Sequence, residues 1–351
     1  MVNKSVPSLT VVVPIYNVEQ YLEQCLDSLL YQTVRNHKVI LVDDGSKDSS
    51  GEIADRYVNK YPELFTVIHK QNAGLGAARN TAMPYVTTPY VTFLDSDDWF
   101  RPNYVEIFTE RLKIYSEAPD IIFTLPIKYD HVRCLTEPWQ HKETFDQIFT
   151  SPLTVVNTTT DERLYDLEVN ACRRIFRTSF LKEHNFSFPE GTYWEDVLPH
   201  FYLLNRAQRC MGIAEIGFMY RINTPSQITA KVGTSRLQVV SVFASTLAFA
   251  IEDDWDENDI AHIITAMLNF THWSLDFTTS DVRKTFVGKL HILYKSIPYK
   301  YFKAYYEKYN IGRKQKLFVF ALRSSLFNKF LKDHVNTKYA KAKLRKLRRG
   351  R

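Results

Sequence analysis

The chain has 351 residues, of which 45% are hydrophobic and 24% charged. That balance belongs to a globular protein with ample length for a substantial core, in two or three domains or one large domain with an addition. Four cysteines without paired spacing argue against a zinc site or a disulfide framework and point to a reducing compartment. The formal charge of +6 is uneven: Lys338–Arg351 holds eight Lys/Arg and no acid, and subtracting those eight leaves −2 for residues 1–337, so a body-wide nucleic-acid-binding surface is not expected.

Met1–Ser5 leads into an apolar run too short for a signal peptide and without a cleavage pattern. Leu9–Val13 predicts a first buried strand, stopped by Pro14, with Ile15-Tyr16-Asn17 as its turn. Val18, Tyr21, Leu22, Cys25, Leu26, Leu29 and Leu30 recur at helical spacing, which predicts an amphipathic helix over Glu19–Gln32. Lys38–Val42 reads as a second strand, ending in Asp43-Asp44-Gly45-Ser46. Asp48–Tyr61 reads as a helix and Phe65–His69 as a third strand. In Lys70–Asn80 the glycines allow a tight strand-to-helix turn, although Gly74-Leu75-Gly76 matches only part of a dinucleotide fingerprint. Arg79 then lies one to two turns into a helix, as a surface residue or as a group reaching back to a phosphate.

Tyr90–Trp99 is the most informative stretch, an apolar strand-like run that ends in Asp95-Ser96-Asp97-Asp98. Four alternations of strand and helix predict an α/β fold, a Rossmann-like, mostly parallel sheet with helices on both faces. Ligands of such sheets bind beyond the carboxyl ends of the strands. The polar turns at Tyr16-Asn17, Asp43-Asp44 and Asp95-Ser96-Asp97 would gather on that edge. Asp95 and Asp97, one residue apart, suit a hard cation such as Mg²⁺ or Mn²⁺. The alternative is a solvated turn, with Asp98 capping a helix ahead of Trp99–Pro102.

Residues 103–117 predict a helix and Asp120–Phe123 a strand, after which Thr124–Asn170 loses its pattern and reads as loops shaping a second substrate pocket. Ala171–Arg177 reads as a strand. Glu195-Asp196 open a helix over Val197–Ala207, where the helix dipole alone would favour acids. Met219–Thr229 reads as a strand leading into a polar loop. Five apolar-faced helical stretches follow: Leu237–Ile251, Asn258–Leu275, Asp281–Tyr294, Tyr299–Tyr309 and Phe318–Leu331. The first falls short of the roughly 20 residues a spanning helix needs and is expected to be a buried helix. Basic residues interleave the last two, as suits either a bundle packed on the rest of the chain or contact with an anionic membrane surface.

Several of these pieces occur in the order of a known set of motifs: Val12-Val13-Pro14-Ile15-Tyr16-Asn17, Val42-Asp43-Asp44-Gly45-Ser46, Asn72–Asn80 and Phe93-Leu94-Asp95-Ser96-Asp97-Asp98. Phe188-Pro189-Glu190-Gly191 with Glu195-Asp196, and Tyr220-Arg221 with Ser226-Gln227-Ile228-Thr229, continue it. Over residues 8–230 the chain therefore resembles the family 2 glycosyltransferases of the GT-A fold, in particular those of bacterial capsule, exopolysaccharide and teichoic acid. Gly76 stands where many relatives have Ser, and Ala82 where many have Gly.

The resemblance implies a catalytic domain over 1–233, with a nucleotide-binding half over 1–100 and an acceptor-binding half over 101–233. A helical domain over 234–335 and a basic tail over 336–351 would follow. It implies a nucleotide base held by Pro14, Tyr16 (stacking) and Asp44 (accepting from the imide), with Asn72 and Arg79 at the ribose and diphosphate. Asp95 and Ser96 would lie at the ribose or sugar, and Asp97 would bind Mn²⁺ or Mg²⁺. Asp196 would be the catalytic base with Glu195 beside it, and Arg221 and Ser226 would lie near the diphosphate. The implied reaction is metal-dependent, inverting transfer from a UDP-sugar to a hydroxyl of a glycan or lipid-linked glycan. The expected setting is cytoplasmic, with no nucleic-acid partner and with self-association through the C-terminal helices as a further expectation; the basic C-terminus itself suggests peripheral contact with the inner face of the membrane, binding to an anionic polymer such as a teichoic acid, or a disordered soluble tail. A nucleotidyltransferase acting on sugar phosphates and a non-catalytic carbohydrate-binding relative are the alternative readings.

Overall fold

The computed structural model describes residues 8–224 and 233–324. The chain divides into two compact units, residues 1–227 and 228–351.

The first unit is built on nine strands in one sheet: β1 (Leu9–Ile15), β2 (His37–Asp43), β3 (Phe65–His69), β4 (Tyr90–Phe93), β5 (Trp99–Phe100), β6 (Ile121–Asp130), β7 (Leu135–Glu137), β8 (Arg174–Arg177) and β9 (Cys210–Ile222). They lie in the order β3-β2-β1-β4-β8-β6-β9-β5, with β7 hairpinned onto β6. β1 to β4 are mutually parallel and β6 pairs parallel with β9, whereas β8, β5 and β7 run against their neighbours. The sheet is thus mixed but mostly parallel. Its helices are α1 (Glu19–Leu30), α2 (Ser50–Lys60), α3 (Leu75–Ala82), α4 (Tyr104–Ile114), α5 (Lys142–Ile148), α6 (Thr178–Glu183) and α7 (Val197–Arg206).

The strand period of two sends Val11 and Val13 into one core layer with Leu22, Leu26 and Leu29 of α1, Ile53 of α2 and Phe108 of α4. Val12 and Val42 face the other way, and α3 packs on β1 and β2 with Ala77, Ala78 and Ala82 buried. Helices therefore cover both faces.

Three expectations need correction. Pro14 does not stop β1: it sits inside the strand opposite Val42. The amide of Leu94 donates to the carbonyl of Val12, so Pro14, two residues on, presents its nitrogen to the same β4 side, where β4 has already ended. A missing donor there removes no internal rung. Residues 124–170 are not only loops, because β6 continues to Asp130, turns into β7 and is followed by α5, with a register shift in the β6–β9 ladder around Leu125 and Pro126. The late strand begins at Cys210, not Met219. Its two glycines interrupt the hydrophobic pattern for a packing reason: a Cβ at Gly212 would meet the Phe149 ring at 2.4 Å, and one at Gly217 the Tyr104 ring at 2.6 Å.

The second unit holds α8 (Gln238–Glu252), α9 (Glu257–Asp276), α10 (Ser280–Ser296), α11 (Tyr299–Lys308) and α12 (Arg313–Arg323). α9 packs against α8 and α11, and α10 against α8 and α12. The first helical run, counted from its leading turn at Thr234 to Glu252, reaches 19 residues with a mean hydropathy of 1.3. It is longer than the sequence suggests, and length and composition alone would allow it to span a membrane. Val239, Phe243 and Leu247 are nevertheless buried within the protein. The last helix starts at Arg313, ahead of the expected Phe318, and the expected stretch beyond Ser324 lies outside the described residues.

α3 sets the position of the loop that follows α6. A Cβ on Gly76 would stand 2.2 Å from the carbonyl oxygen of Pro189 and 3.4 Å from the Cβ of Glu195. The side chain of Asn80, one turn further on, clamps the same loop. Its Nδ2 donates to the Phe188 carbonyl and to Glu190, both at 2.9 Å, and its Oδ1 accepts from the Phe188 amide at 2.8 Å. Gly76→Ala must push this backbone away, at a cost of about 1–3 kcal/mol. In thermal melts it lowers the midpoint, whereas Gly288→Ala, in open space on α10, leaves it unchanged or raises it.

Candidate active site

β4 ends at Phe93, and the chain leaves the sheet in a turn closed by the Asp98 amide donating to the Asp95 carbonyl at 2.9 Å. Asp98 caps no helix, because Trp99-Phe100 pair as β5 with Phe218 and Met219 of β9. The buried Asp98 carboxylate instead accepts from the Arg221 amide at 2.7 Å and so ties the turn to β9.

The Arg221 side chain closes the other half of this joint. Its Nε donates to the Asp97 carbonyl at 2.7 Å and its Nη2 to Gln24 at 2.6 Å. Its guanidinium lies over the Trp99 and Tyr21 rings at 4.5 and 4.7 Å, with His131 Nδ1 beside Nη1 at 3.4 Å. In this arrangement Arg221 is a buried brace of the acidic turn. Ser226, expected to work with it, lies outside the described residues.

Arg79 is not a surface residue. It is 1% exposed and binds three carboxylates: Nη2 donates to Asp95 at 3.0 Å, and Nη1 to Glu195 at 3.0 Å and to Asp196 at 2.7 Å. The rings of Phe188 and Phe93 flank it at 5.1 and 5.8 Å. Glu195 and Asp196 precede α7, yet Asp196, at its N-cap position, makes no capping hydrogen bond. Helix capping does not account for this acid pair.

Its two members differ in exposure, 5% for the Glu195 side chain and 19% for Asp196, so Asp196 is the one an incoming group can reach. Burial, and then the charge of Asp196, push Glu195 up to about 8. Burial also raises Asp196, against the opposing pull of Arg79.

The other expected residues line the same sheet edge. Tyr16 follows β1 and is 46% exposed, while Pro14 is buried in the strand beneath it. Asp44 is buried, and its carboxylate accepts from the amides of Ala73 at 3.0 Å and Gly74 at 2.8 Å and from Lys70 Nζ at 2.7 Å. Both oxygens are engaged inside the 70–74 loop. Asn72 donates to the Asp44 carbonyl at 3.0 Å. His69, not singled out from sequence, bridges Asp43 at 2.9 Å and Asp55 at 3.1 Å and fastens the end of β2 to α2. Ser96 is buried within the acidic turn.

The acidic turn has more negative charge than its protein partners offset. Burial, followed by the charge of Asp95, pushes Asp97 up to about 6. Asp98 is raised further by burial and by Asp97 and Asp95, and its buried Oδ2 has no hydrogen-bond partner among the described residues. These donors fit a hard divalent cation. Among the described residues no group of three or more His, Cys, Asp and Glu has the arrangement of a closed metal cage. The fit is thus to an ion that takes one or two carboxylates and completes its shell with substrate oxygens.

Because Glu195 rises from 4.5 in the unfolded chain to about 8, the folded state binds the extra proton between those values. Stability therefore falls as pH rises from about 5 to 8. Glu195→Gln keeps an acceptor for Arg79 but removes this proton. In thermal melts with EDTA it flattens the pH dependence over that window and gains most at pH 8.

Residues 10–172 match the family described as Glycosyl transferase family 2. The glycosyltransferase GlyA of Streptococcus pneumoniae is 46% identical over 107 residues, 30% of this chain and 15% of that protein. The minor teichoic acid biosynthesis protein GgaA of Bacillus subtilis is 28% identical over 223 residues, 60% of this chain and 46% of that protein. The chain thus spans less than half the length of either relative. Among solved structures, S. aureus TarS 1-349 in complex with UDP-GlcNAc superposes with a TM-score of 0.67 at 21% identity, covering 84% of this chain and 82% of that one, which establishes the GT-A-like fold. With the motifs, the sheet and these matches in agreement, the region from residue 10 to residue 172 belongs to glycosyl transferase family 2.

Proposed function

We propose that the protein is an inverting glycosyltransferase that moves a sugar from a UDP-sugar to a hydroxyl of a bacterial surface polysaccharide or teichoic acid, with Mn²⁺ or Mg²⁺ held by Asp97. The observation that carries this reading is the convergence of Asp95, Glu195 and Asp196 on the buried Arg79 guanidinium, next to the under-compensated acids Asp97 and Asp98. The names of GlyA and GgaA and the UDP-GlcNAc bound to TarS support the sugar-nucleotide donor and the cell-surface acceptor.

Transfer from a nucleoside diphosphate needs a base for the acceptor hydroxyl and a counter-charge for the departing diphosphate. Asp196 is the reachable acid of its pair and takes the acceptor proton. Its environment raises its proton affinity above that of an ordinary Asp and makes it a stronger base near neutral pH. Glu195, holding a proton through most of that range, keeps the pair from carrying two negative charges. Arg79 fixes Asp196 and Asp95 relative to one another, so that base and sugar-facing carboxylate keep one geometry. A divalent ion at Asp97 would supply Lewis-acid stabilisation of the diphosphate. A single displacement against the Asp196 base inverts the anomeric centre and gives a β-linked product from an α-linked donor.

The test is a panel of nucleotide sugars assayed for binding and transfer with Mn²⁺, Mg²⁺ or EDTA. One UDP-sugar is expected to stand out and to fail in EDTA; a uniformly silent panel with acceptor present would refute the reading. Asp196→Asn is expected to bind that donor within about twofold of the parent while transfer falls by roughly 10²–10⁴-fold; unchanged turnover would remove Asp196 from the role. In calorimetry, Asp97→Ala loses the increment in donor affinity that Mn²⁺ gives the parent, and an intact increment would place the ion elsewhere.

A further inference from the structure

We propose that the face formed by α10 and α12 in the C-terminal unit docks peripherally on an anionic lipid bilayer. Charge along the chain changes sign at Ser280: residues 1–279 carry 24 Lys/Arg against 36 Asp/Glu, and residues 280–351 carry 21 against three. The basic character is thus not confined to the terminal run. It extends through three described helices, where Asp281 and Glu307 are the only acids between residues 280 and 323.

The pattern on α12 is specific. Arg313, Lys316, Leu317 and Phe320 fall at i, i+3, i+4 and i+7, so they share one face, and all four are exposed. Leu317 and Phe320 are each 60% exposed, while Val319 and Leu322 on the opposite side are buried. α10 packs beside α12. It is joined to α12 by Arg323 donating to the Tyr294 carbonyl at 2.7 Å and by His291 at the Leu322 carbonyl. On α10, Ile292 is 68% exposed and is flanked three residues away on either side by the exposed Lys289 and Lys295. Tyr299, 60% exposed, has its ring 5.9 Å from the Arg323 guanidinium.

Single exposed apolar residues are ordinary on protein surfaces. An apolar strip edged by cations is the pattern of a helix lying in a membrane interface, where the apolar side chains enter the acyl boundary and the cations meet anionic headgroups. Each Lys or Arg near such a surface contributes about 1 kcal/mol. The charge argues against the other occupants. A second copy would set one cationic face against another, and a soluble polyanion would reward the cations but leave Ile292, Leu317 and Phe320 in water. The proposal rests on this surface alone and does not depend on the transferase reading.

The full chain would be sedimented with vesicles of phosphatidylcholine and with an equal mixture of phosphatidylcholine and phosphatidylglycerol. It is expected to bind the mixture and not phosphatidylcholine alone. The doubly substituted Leu317→Ser, Phe320→Ser chain and, separately, Ile292→Ser are expected to keep the parent's circular dichroism. The double variant should lose binding by roughly tenfold or more, from the apolar burial it gives up. Parental binding by both variants would overturn the proposal, because charge alone would then suffice. Equal binding to both vesicle types would also overturn it. So would a self-association that Phe320→Ser abolishes without any vesicle binding, which would make the face an interface between copies.

Discussion

The site depends on one buried guanidinium. Arg79 lies between carboxylates from parts of the chain about a hundred residues apart, with Asp95 on one side and Glu195 and Asp196 on the other. A lone buried cation costs several kcal/mol in lost hydration, and so does each buried carboxylate; the cluster stands only because they are buried together. Removing Arg79 would take from Asp95, Glu195 and Asp196 the cation that all three contact directly. The Phe93 and Phe188 rings add a low-dielectric wall that strengthens the pairing and excludes water from it. The constraint extends outward: Asn80, on the same helix, holds residues 188–190, and Gly76 lets that backbone approach, so α3 delivers both the cation and the loop bearing its partners.

Environment divides the acids into different tasks. Glu195, the more buried, is pushed toward its protonated form; Asp196 is more open; Asp98 becomes a structural acceptor for the β9 amide; and Asp97 is left short of positive charge. Similar side chains thus differ in proton affinity and in their partners through differences in burial and neighbours. Arg221 belongs to the same scheme. By holding the Asp97 carbonyl and stacking on Trp99, it fixes the backbone from which the Asp97 carboxylate projects.

Much of the fold was legible wherever the signal is local. β1 to β4 and α1 to α4 follow from periodicity, and Asp95–Asp98 and Glu195-Asp196 stand out as acids at element ends. What sequence could not supply was decided by distant partners. Pro14 reads as a breaker unless it is known that β4 has already ended beside it. Cys210–Phe218 hides as a strand because Gly212 and Gly217 break the alternation, and the Phe149 and Tyr104 rings that occupy the space are far away in sequence. Arg79 and Arg221 were visible as cations, but their partners within the protein were not. A phosphate contact and an internal carboxylate contact call for the same residue type, and only the fold shows that these two guanidiniums are already engaged.

The net charge of +6 conceals two opposed halves. Residues 1–279, which contain every acid of the candidate site, are net negative by twelve, and residues 280–351 are net positive by eighteen. An anionic sugar nucleotide approaching the first part meets a repulsive field beyond the Debye length of about 8 Å only weakly, because salt screens it. Inside that distance, compensation has to be local. A divalent ion at Asp97 would provide it at the phosphates, because the described arginines nearest the acids are already paired within the protein. The positive part is free of that task. Segregating the charges along the chain therefore permits two kinds of electrostatic work that would interfere if mixed: a carboxylate-rich site that would recruit a cation, and a cationic, apolar-edged surface suited to an anionic boundary.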